Sequence, residues 1–359
     1  MSTPETDATS FHRKRKRFIG GVLCVAILTS AIVSAVLICR NNNNVSPISI
    51  DHESSNATTT SAPTTPSVQI TTSPASTDNS SPIATAPTFA PTIAKTSPEP
   101  DVTRRGTFEL LETVPHDPDA FTQGLVFVPR DNNQHELYEG TGLYGESDVR
   151  RVDLLTGNVL VQTELSDSYF GEGITYYETE SGEGRIVQLT WQEGTVFVYD
   201  SQTLQPLANR TFSTTRNEGW GITGREKDGN KMFVVSDGSS YLHFWNQLDF
   251  VEFRRVQVTS RENLEDDPNA VNNLNELEWD PTTDTILANV WYSDTIQRID
   301  PDTGLVTVEY DLSTLYSDRD VTSDVFNGIA LVPGTSDEYW VTGKLWPNMF
   351  RIRLIDEPK

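Results

Sequence analysis

The chain is short of cysteine, histidine and basic side chains, and each shortage excludes a class of site or partner. Only two of its 359 residues are cysteines, Cys24 and Cys39, so the long remainder holds no disulfide and no cysteine-based metal site. The five histidines are scattered and form no metal-ligand motif. With 51 acidic against 27 basic side chains, the formal charge of -24 argues against nucleic acid or anionic lipid as a partner of the folded part.

Long apolar runs are also absent, with one exception near the N-terminus. Residues 18–39 contain no charged side chain and follow the basic block at positions 12–17. About 22 such residues suffice to cross a bilayer as a helix, and the run is too long for an ordinary signal-peptide core. The basic block keeps its own side in the cytoplasm. We therefore predict a cytoplasmic tail at 1–17 and a transmembrane signal anchor at 18–39.

This reading makes the chain a single-pass type II membrane protein whose folded part lies in the secretory-pathway lumen or outside the cell. A cleaved signal peptide is the alternative, and it leads into the same route. Residues 40–105 are rich in Ser, Thr and Pro and have too few large apolar groups for a core, so they predict a disordered stalk. Possible N-glycan acceptors lie at Asn44, Asn56, Asn79 and, beyond the stalk, Asn209.

What the remainder does contain is a short phrase that returns five times. It reads Phe-Thr-Gln-Gly-Leu at 121–125, Phe-Gly-Glu-Gly-Ile at 170–174, Glu-Gly-Trp-Gly-Ile at 218–222, Leu-Asn-Glu-Leu at 274–277 and Phe-Asn-Gly-Ile at 326–329. Equivalent positions are Gly124, Gly173, Gly221, Glu276 and Gly328, at spacings of about 49, 48, 55 and 52 residues, which are typical of propeller-like repeats.

Each repeat carries further β-rich runs separated by turns of the Asp-x-x-Thr-Gly kind. Alternating β-branched and aromatic residues predict four short antiparallel strands per repeat. Five repeats of four strands predict an all-β fold, a five-bladed β-propeller over residues 106–359. The run at 107–114 precedes the first phrase as a fourth strand precedes each later one. We therefore expect the N-terminal strand to complete the last blade by pairing with 349–354, which would hide a sheet edge.

The repeat also predicts a site, because the first strand of each propeller blade lines the central channel. The residues just before the repeated glycine then converge at the channel mouth; they are Gln123, Glu172, Trp220, Asn275 and Asn327. Three more candidates lie near the ends of second strands: Trp191, Trp291 and Lys344. An apolar cup with a few polar groups is typical of small-ligand sites. Glu276 and Glu278 are interpreted as structural, and Asn327 receives no role.

Together these phrases resemble the plant and bacterial glutaminyl-peptide cyclotransferases, over about residues 107 to 355. The resemblance rests on the first four phrases, the fourth extended to Trp279, and on Gln188-Leu-Thr-Trp191, Asn289-Val-Trp291 and Gly343-Lys-Leu-Trp346, in the same order. It implies a five-bladed propeller acyltransferase that converts N-terminal glutamine of peptides and proteins to pyroglutamate and releases ammonia. It implies no cofactor for catalysis, although a structural calcium ion is compatible with it. We expect the propeller to be a monomer.

The resemblance also implies roles for individual residues. Glu172 is the catalytic general base and then acid, which a hydrophobic surround would suit by raising its pKa. Gln123, Asn275 and Lys344 would bind the amide or the substrate backbone. The aromatic substrate-binding residues are Phe121, Phe170, Trp191, Trp220 and Trp291. Each has a structural alternative, since tryptophans on strands are often core residues and Lys344 could be a solvated strand-end charge.

Two other functions stay open at this stage. A non-catalytic propeller could bind peptide N-termini without turnover, although it would not require the acid at position 172. A calcium-dependent propeller hydrolase or lyase would need carboxylates and amides around an ion, and Glu172, Asn275 and Asn327 could serve in that way.

Overall fold

The computed structural model describes residues 102–262 and 268–357, and this part of the chain is all-β. Its one helical element is a single 3-10 turn at Asp131–Asn133. No helix in these residues is long and apolar enough to cross a membrane. The predicted cytoplasmic tail and anchor, and the stalk up to residue 101, lie outside the described residues.

Five groups of four strands account for almost all of the sheet structure, and in four of these groups the strands are consecutive along the chain. The first two groups are β2 (Thr122–Pro129), β3 (His135–Thr141), β4 (Asp148–Val152) and β5 (Val159–Glu164), and then β6 (Gly171–Glu178), β7 (Gly184–Thr190), β8 (Thr195–Asp200) and β9 (Pro206–Thr211). The third is β10 (Ile222–Lys227), β11 (Asn230–Val235), β12 (Tyr241–Asn246) and β13 (Glu252–Gln257). Each of these three groups forms its own antiparallel sheet in chain order.

The last two groups share one eight-stranded sheet. Their strands are β16 (Leu274–Asp280), β17 (Thr285–Val290), β18 (Thr295–Ile299) and β19 (Val306–Asp311), followed by β20 (Phe326–Leu331), β21 (Glu338–Gly343), β22 (Asn348–Asp356) and, from the start of the domain, β1 (Arg104–Pro115). A short parallel pairing of β1 with β19, at Arg104–Gly106, joins the two halves. A small separate ribbon pairs β14 (Thr259–Ser260) with β15 (Asn269–Ala270).

The predicted pairing of the chain's N-terminal strand with its last strand is confirmed. Strand β1 runs antiparallel to β22 from Gly106 opposite Asp356 to Pro115 opposite Asn348. The last group thus takes its fourth strand from the beginning of the domain. This pairing covers backbone donors and acceptors of β22 that would otherwise form an open sheet edge.

The first strands of the five groups contact one another in a cycle, β2 to β6 to β10 to β16 to β20 and back to β2. The repeated glycines make this approach possible. A Cβ on Gly124 would lie 2.9 Å from the Cα of Gly173, and a Cβ on Gly173 would lie 2.9 Å from the Cα of Gly221. A Cβ on Gly221 would lie 2.8 Å from the Cα of Glu276. Backbones this close leave no room for a side chain.

Glu276, which stands where the other repeats have glycine, joins two of the other first strands. Its carboxyl group is 1 % exposed and accepts hydrogen bonds from the backbone N–H of Leu125, at 3.4 Å, and of Ile329, at 2.9 Å. Two residues on, Glu278 accepts from the N–H of Leu331 at 2.8 Å. Burial raises the pKa of both carboxyl groups, that of Glu278 to about 8. Both carboxyl groups thus bond the backbone of other first strands, which agrees with their interpretation as structural.

The hydrophobic core is divided into layers between neighbouring sheets. Val128 and Tyr138 of the first sheet pack with Ile174 and Ile186 of the second. The second and third sheets pack in the same way through a cluster that includes Val187, Val196, Ile222 and Phe233. Because each sheet is covered on both faces by its neighbours, its inner strands are buried along nearly their whole length.

Candidate active site

The predicted channel-mouth residues lie in β-bulges at the beginnings of the first strands. The register shifts fall between Thr122 and Gly124, Gly171 and Ile174, Leu274 and Leu277, and Phe326 and Ile329. Gln123, Glu172, Asn275 and Asn327 therefore all sit inside a bulge. A bulge releases a residue from regular pairing and re-aims its side chain, which is why bulges are common beside active sites. Trp220 instead lies outside its strand, β10, and is separated from Ile222 at the start of that strand by Gly221 alone.

The second-strand candidates are held beside these bulges by backbone hydrogen bonds. The N–H of Trp191 donates to the carbonyl of Phe170 at 3.0 Å, that of Trp291 to Asn273 at 2.9 Å, and that of Lys344 to Val325 at 2.9 Å. In two of these cases the chain then turns through a left-handed residue, Tyr292 with φ 64 and Leu345 with φ 60. The same local geometry in different repeats thus presents different side chains at one end of the strands.

Glu172 is the central carboxylate of the site. It is 5 % exposed, and its Oε1 accepts a hydrogen bond from Nε2 of Gln123 at 3.1 Å. Burial raises its pKa well above the usual range for a glutamate; attraction to Lys344 opposes the rise, while repulsion from Glu218 and Glu193 adds to it. A carboxyl group in this setting holds and releases a proton closer to neutral pH than an exposed one does.

Lys344 supplies the positive charge. Its side chain is 5 % exposed, and Nζ lies 4.8 Å from the centre of the Phe121 ring, within range of a cation–π interaction. Burial lowers the pKa of this ammonium group, and attraction to Glu172 and Asp324 works against that change. This burial does not fit the alternative interpretation of Lys344 as a solvated strand-end charge and agrees with its prediction as a site residue.

The aromatic candidates form two groups. In the first, the Phe170 ring meets Phe121 at 6.1 Å and Trp191 at 5.6 Å, both edge to face. In the second, Trp220 and Trp291 meet edge to face at 5.4 Å. All five side chains were predicted from the sequence, and the structure brings them together in these two walls.

A residue that the sequence reasoning did not select, Glu218, links the two walls. Its Oε2 accepts the indole N–H of Trp191 at 3.0 Å and that of Trp220 at 2.9 Å. One carboxylate oxygen thereby fixes the rotation of two tryptophans and also raises the pKa of Glu172 through charge repulsion. Glu218 is the first residue of the third repeated phrase. Its role becomes visible only in the structure, where the indole groups of Trp191 and Trp220 both bond to it.

The sequence reasoning also did not select Glu193 and Tyr144, which lie beside the first aromatic wall. Glu193 accepts a hydrogen bond from the Tyr144 hydroxyl at 2.7 Å, and the Tyr144 ring packs edge to face on Phe170 at 5.4 Å. Burial and the Glu193 carboxylate raise the pKa of Tyr144 to about 12. Tyr144 is 49 % exposed, so it extends the first aromatic wall toward solvent.

The two asparagines are buried and incompletely paired. The Oδ1 atoms of Asn275 and Asn327 have no hydrogen-bond partner among the described residues. Asn275 is positioned by the bulge of its strand, β16, and its side chain is not hydrogen-bonded to the other predicted site residues that the structure describes. Buried amide oxygens without a donor are uncommon, and a ligand that carries N–H groups would satisfy them.

Among the described histidines, His116 has a structural role. His116 is buried and bonds through Nε2 to Glu139 at 3.0 Å and through Nδ1 to the carbonyl of Trp346 at 2.7 Å. It ties β3, which contains Glu139, to the loop between β21 and β22, which contains Trp346. Within 102–262 and 268–357, no group of three or more His, Cys, Asp or Glu side chains is placed to hold a metal ion.

Comparison with known proteins identifies relatives that share this fold. The sequence profile of the glutamine cyclotransferase family matches residues 83–354. A glutaminyl-peptide cyclotransferase of Arabidopsis thaliana is 38% identical over 252 residues, which cover 68% of this chain and 71% of the relative. The crystal structure of a Myxococcus xanthus glutaminyl cyclase superposes with a TM-score of 0.59 and 32% identity, covering 71% of this chain and 100% of that one. The chain belongs to the glutamine cyclotransferase family.

Proposed function

We propose that the chain is a glutaminyl-peptide cyclotransferase, which converts the N-terminal glutamine of peptides or proteins to pyroglutamate and releases ammonia. In this reaction the substrate's α-amine attacks the carbon of its own side-chain amide. A C–N bond closes a five-membered ring, the C–N bond to the amide nitrogen breaks, and one proton moves from the first nitrogen to the second. Much of the proximity advantage is built into the substrate, so the protein has to supply mainly proton transfer and charge stabilisation.

The observation that carries the proposal is the buried, hydrogen-bonded Glu172 carboxyl group with its raised pKa. As a carboxylate it takes the proton of the attacking amine, and as an acid it returns that proton to the departing ammonia. A single group can perform both steps because the two nitrogens bond to the same carbon in the tetrahedral intermediate. No protein nucleophile and no cofactor are needed for this sequence of steps.

The neighbouring residues support the same chemistry. Negative charge develops on the amide oxygen during attack, and N–H donors or a cation stabilise it. Lys344 is the buried cation of the site, and Gln123 and Asn275 carry amide groups that can bind the amide or backbone of the substrate. The aromatic walls formed by Phe121, Phe170, Trp191, Trp220 and Trp291 would exclude water from the ring-closing step.

We propose that the five groups of strands are the blades of a five-bladed β-propeller. The cycle of contacts among the first strands and the close approach at Gly124, Gly173 and Gly221 support this arrangement. The pairing of β1 with β22 supports closure of the last blade. The blades would bring the bulges of the first strands to one mouth of a central channel.

We further propose that the protein acts as a monomer on glutamine-bearing N-termini, without a catalytic metal, and that residues 18–39 anchor it as a type II membrane protein. Glycosylation of Asn209 can report this topology, because Asn209 lies exposed on β9 within a glycan-acceptor sequence. In sealed microsomes the folded part should resist added protease. Glycosidase should remove the glycan from Asn209 and so reduce the mass of the wild type. Asn209→Gln should lack that shift, and protease sensitivity would place the folded part on the cytoplasmic side.

The activity is tested with the full-length chain purified in detergent and a peptide that begins with glutamine. The expected result is a mass loss of about 17 Da, the mass of the ammonia released. The same peptide beginning with asparagine is the matched control, because its shorter side chain cannot close a five-membered ring. Turnover should persist in a chelator. Tight binding without mass loss would make the protein a receptor for N-termini instead.

A further inference from the structure

Asn327 has no assigned role, yet it contacts the residue that holds the Glu172 carboxylate. It lies in the bulge at the start of β20 and is fully buried. Its Nδ2 donates to the backbone carbonyl of Thr122 at 3.1 Å and to Oε1 of Gln123 at 3.3 Å. Both partners lie on β2, which contacts β20.

The backbone carbonyl fixes the direction of this hydrogen-bond chain. A carbonyl oxygen can only accept, so the Asn327 amide must turn its nitrogen toward Thr122. The second hydrogen on that nitrogen requires an acceptor, and Oε1 of Gln123 provides it. Gln123 must then turn its own Nε2 toward Glu172, which it meets at 3.1 Å. Rotating the Gln123 amide by half a turn would set two nitrogens against each other and two oxygens against each other.

We propose that Asn327 is a positioning residue: through the amide of Gln123, it keeps an N–H donor directed at the Glu172 carboxylate. The proposal deepens the function assigned above, since it concerns the residue that would act as base. A donor bonded to the carboxylate stabilises the charged form of Glu172 and so opposes the effect of burial on its proton affinity. Asn327 itself makes no hydrogen bond to Glu172.

Other groups also act on the Glu172 charge and must be separated from this effect. Lys344 favours the carboxylate, and Glu218 and Glu193 disfavour it. Tyr144 is bonded to Glu193 and is itself affected by the Glu172 charge. None of these four residues is hydrogen-bonded to Asn327. A change at Asn327 that introduces no charge should therefore act on Glu172 through Gln123.

The experiment is a double-mutant cycle between Asn327→Leu and Gln123→Leu in the full-length protein. Leucine is similar in volume to both side chains and carries no charge. Leucine at position 327 leaves the Gln123 amide free to rotate. We expect the acid limb of kcat/KM against pH to move upward by about one unit, so that activity on the acid side falls about tenfold while activity at high pH is retained. In the Gln123→Leu background, Asn327→Leu should produce no further shift.

Direct titration of Glu172 makes the result independent of turnover. The carboxyl signal can be followed by 13C NMR with labelled glutamate and assigned by its loss in Glu172→Gln. Asn327→Ser, which has one donor hydrogen in place of two, serves where the leucine variant does not fold. An unmoved titration in a folded Asn327 variant would overturn the proposal, as would an equal shift in the Gln123→Leu background. Absence of turnover by the wild type would instead count against the proposed function alone.

Discussion

Replacing Glu172 by glutamine should reduce kcat by about two to four orders of magnitude, the usual contribution of a positioned general acid–base group. Glutamine has nearly the same shape and can still meet Gln123, but it cannot take a proton from the α-amine at working pH. The measurement is the initial rate of ammonia release from a glutamine-initiated peptide. Unfolding temperature should be unchanged or higher, because burial disfavours the charge that the substitution removes.

The same residue should set the pH dependence. Burial raises the Glu172 pKa, and the base must be deprotonated, so kcat/KM should fall as the pH decreases through that raised value. The acid limb should therefore lie above the pKa of about 4.3 found for an exposed glutamate. A second requirement is a neutral substrate α-amine, whose pKa near 8 belongs to the peptide.

Glu193→Gln is the matched control, since it makes the same chemical change in a carboxylate that acts on Glu172 through charge. Removing that negative charge should favour the Glu172 carboxylate, so the acid limb should move to lower pH while kcat is largely kept. Activity of Glu172→Gln close to that of the wild type would exclude Glu172 as the base.

Adding one methyl group at Gly221 should destabilise the protein by about 3 kcal/mol, the upper part of the range for overpacking in a rigid interior. The new Cβ would collide with the carbonyl oxygen of Asn275 and lie 2.8 Å from the Cα of Glu276. Both are backbone atoms, which cannot move aside as a flexible side chain can. The measurement is the free energy of unfolding of Gly221→Ala, from denaturant titration followed by tryptophan fluorescence.

Gly224→Ala is the control, because Gly224 lies in β10, the strand that begins directly after Gly221. A Cβ at Gly224 has its nearest contact at 3.5 Å, with the carbonyl oxygen of Tyr176, which is an ordinary separation. This variant should change stability by less than about 1 kcal/mol. Equal unfolding free energies for the two variants would contradict the close packing of first strands and, with it, the proposed arrangement of the blades.

The sequence was informative about the site because the repeat relates residues that are distant along the chain. The repeated glycine marks a position where neighbouring backbones must approach closely, and the residue before it falls in the adjoining bulge or just before the strand. Glu276 fits the same register: its Cα takes the place of a glycine Cα, and its carboxyl group bonds two neighbouring strands. A five-fold comparison within one chain therefore located Gln123, Glu172 and Asn275.

The hydrogen-bonding roles of Glu218 and Asn327 could not be predicted by comparing the repeats. Glu218 matters because two indole N–H groups, from Trp191 and Trp220, meet at one of its oxygens. Asn327 matters because its amide lies against a carbonyl of a strand more than two hundred residues earlier in the chain, with a sequence separation of 205. Neither meeting follows from strand period or turn chemistry.

Through its resemblance to a known family, the sequence also selected Glu172 as the candidate acid of the site. By itself it determined the all-β class, the order of the strands and the pairing of the first strand with the last. These features depend on local rules, namely alternation along a strand, turn residues between strands and a repeat length of about 50 residues. The tertiary structure decided where each polar group points and what it bonds to. Hydrogen bonds are directional and short, so the orientation of Gln123 toward Glu172 depends on how bulges from separate strands meet, which no local pattern specifies.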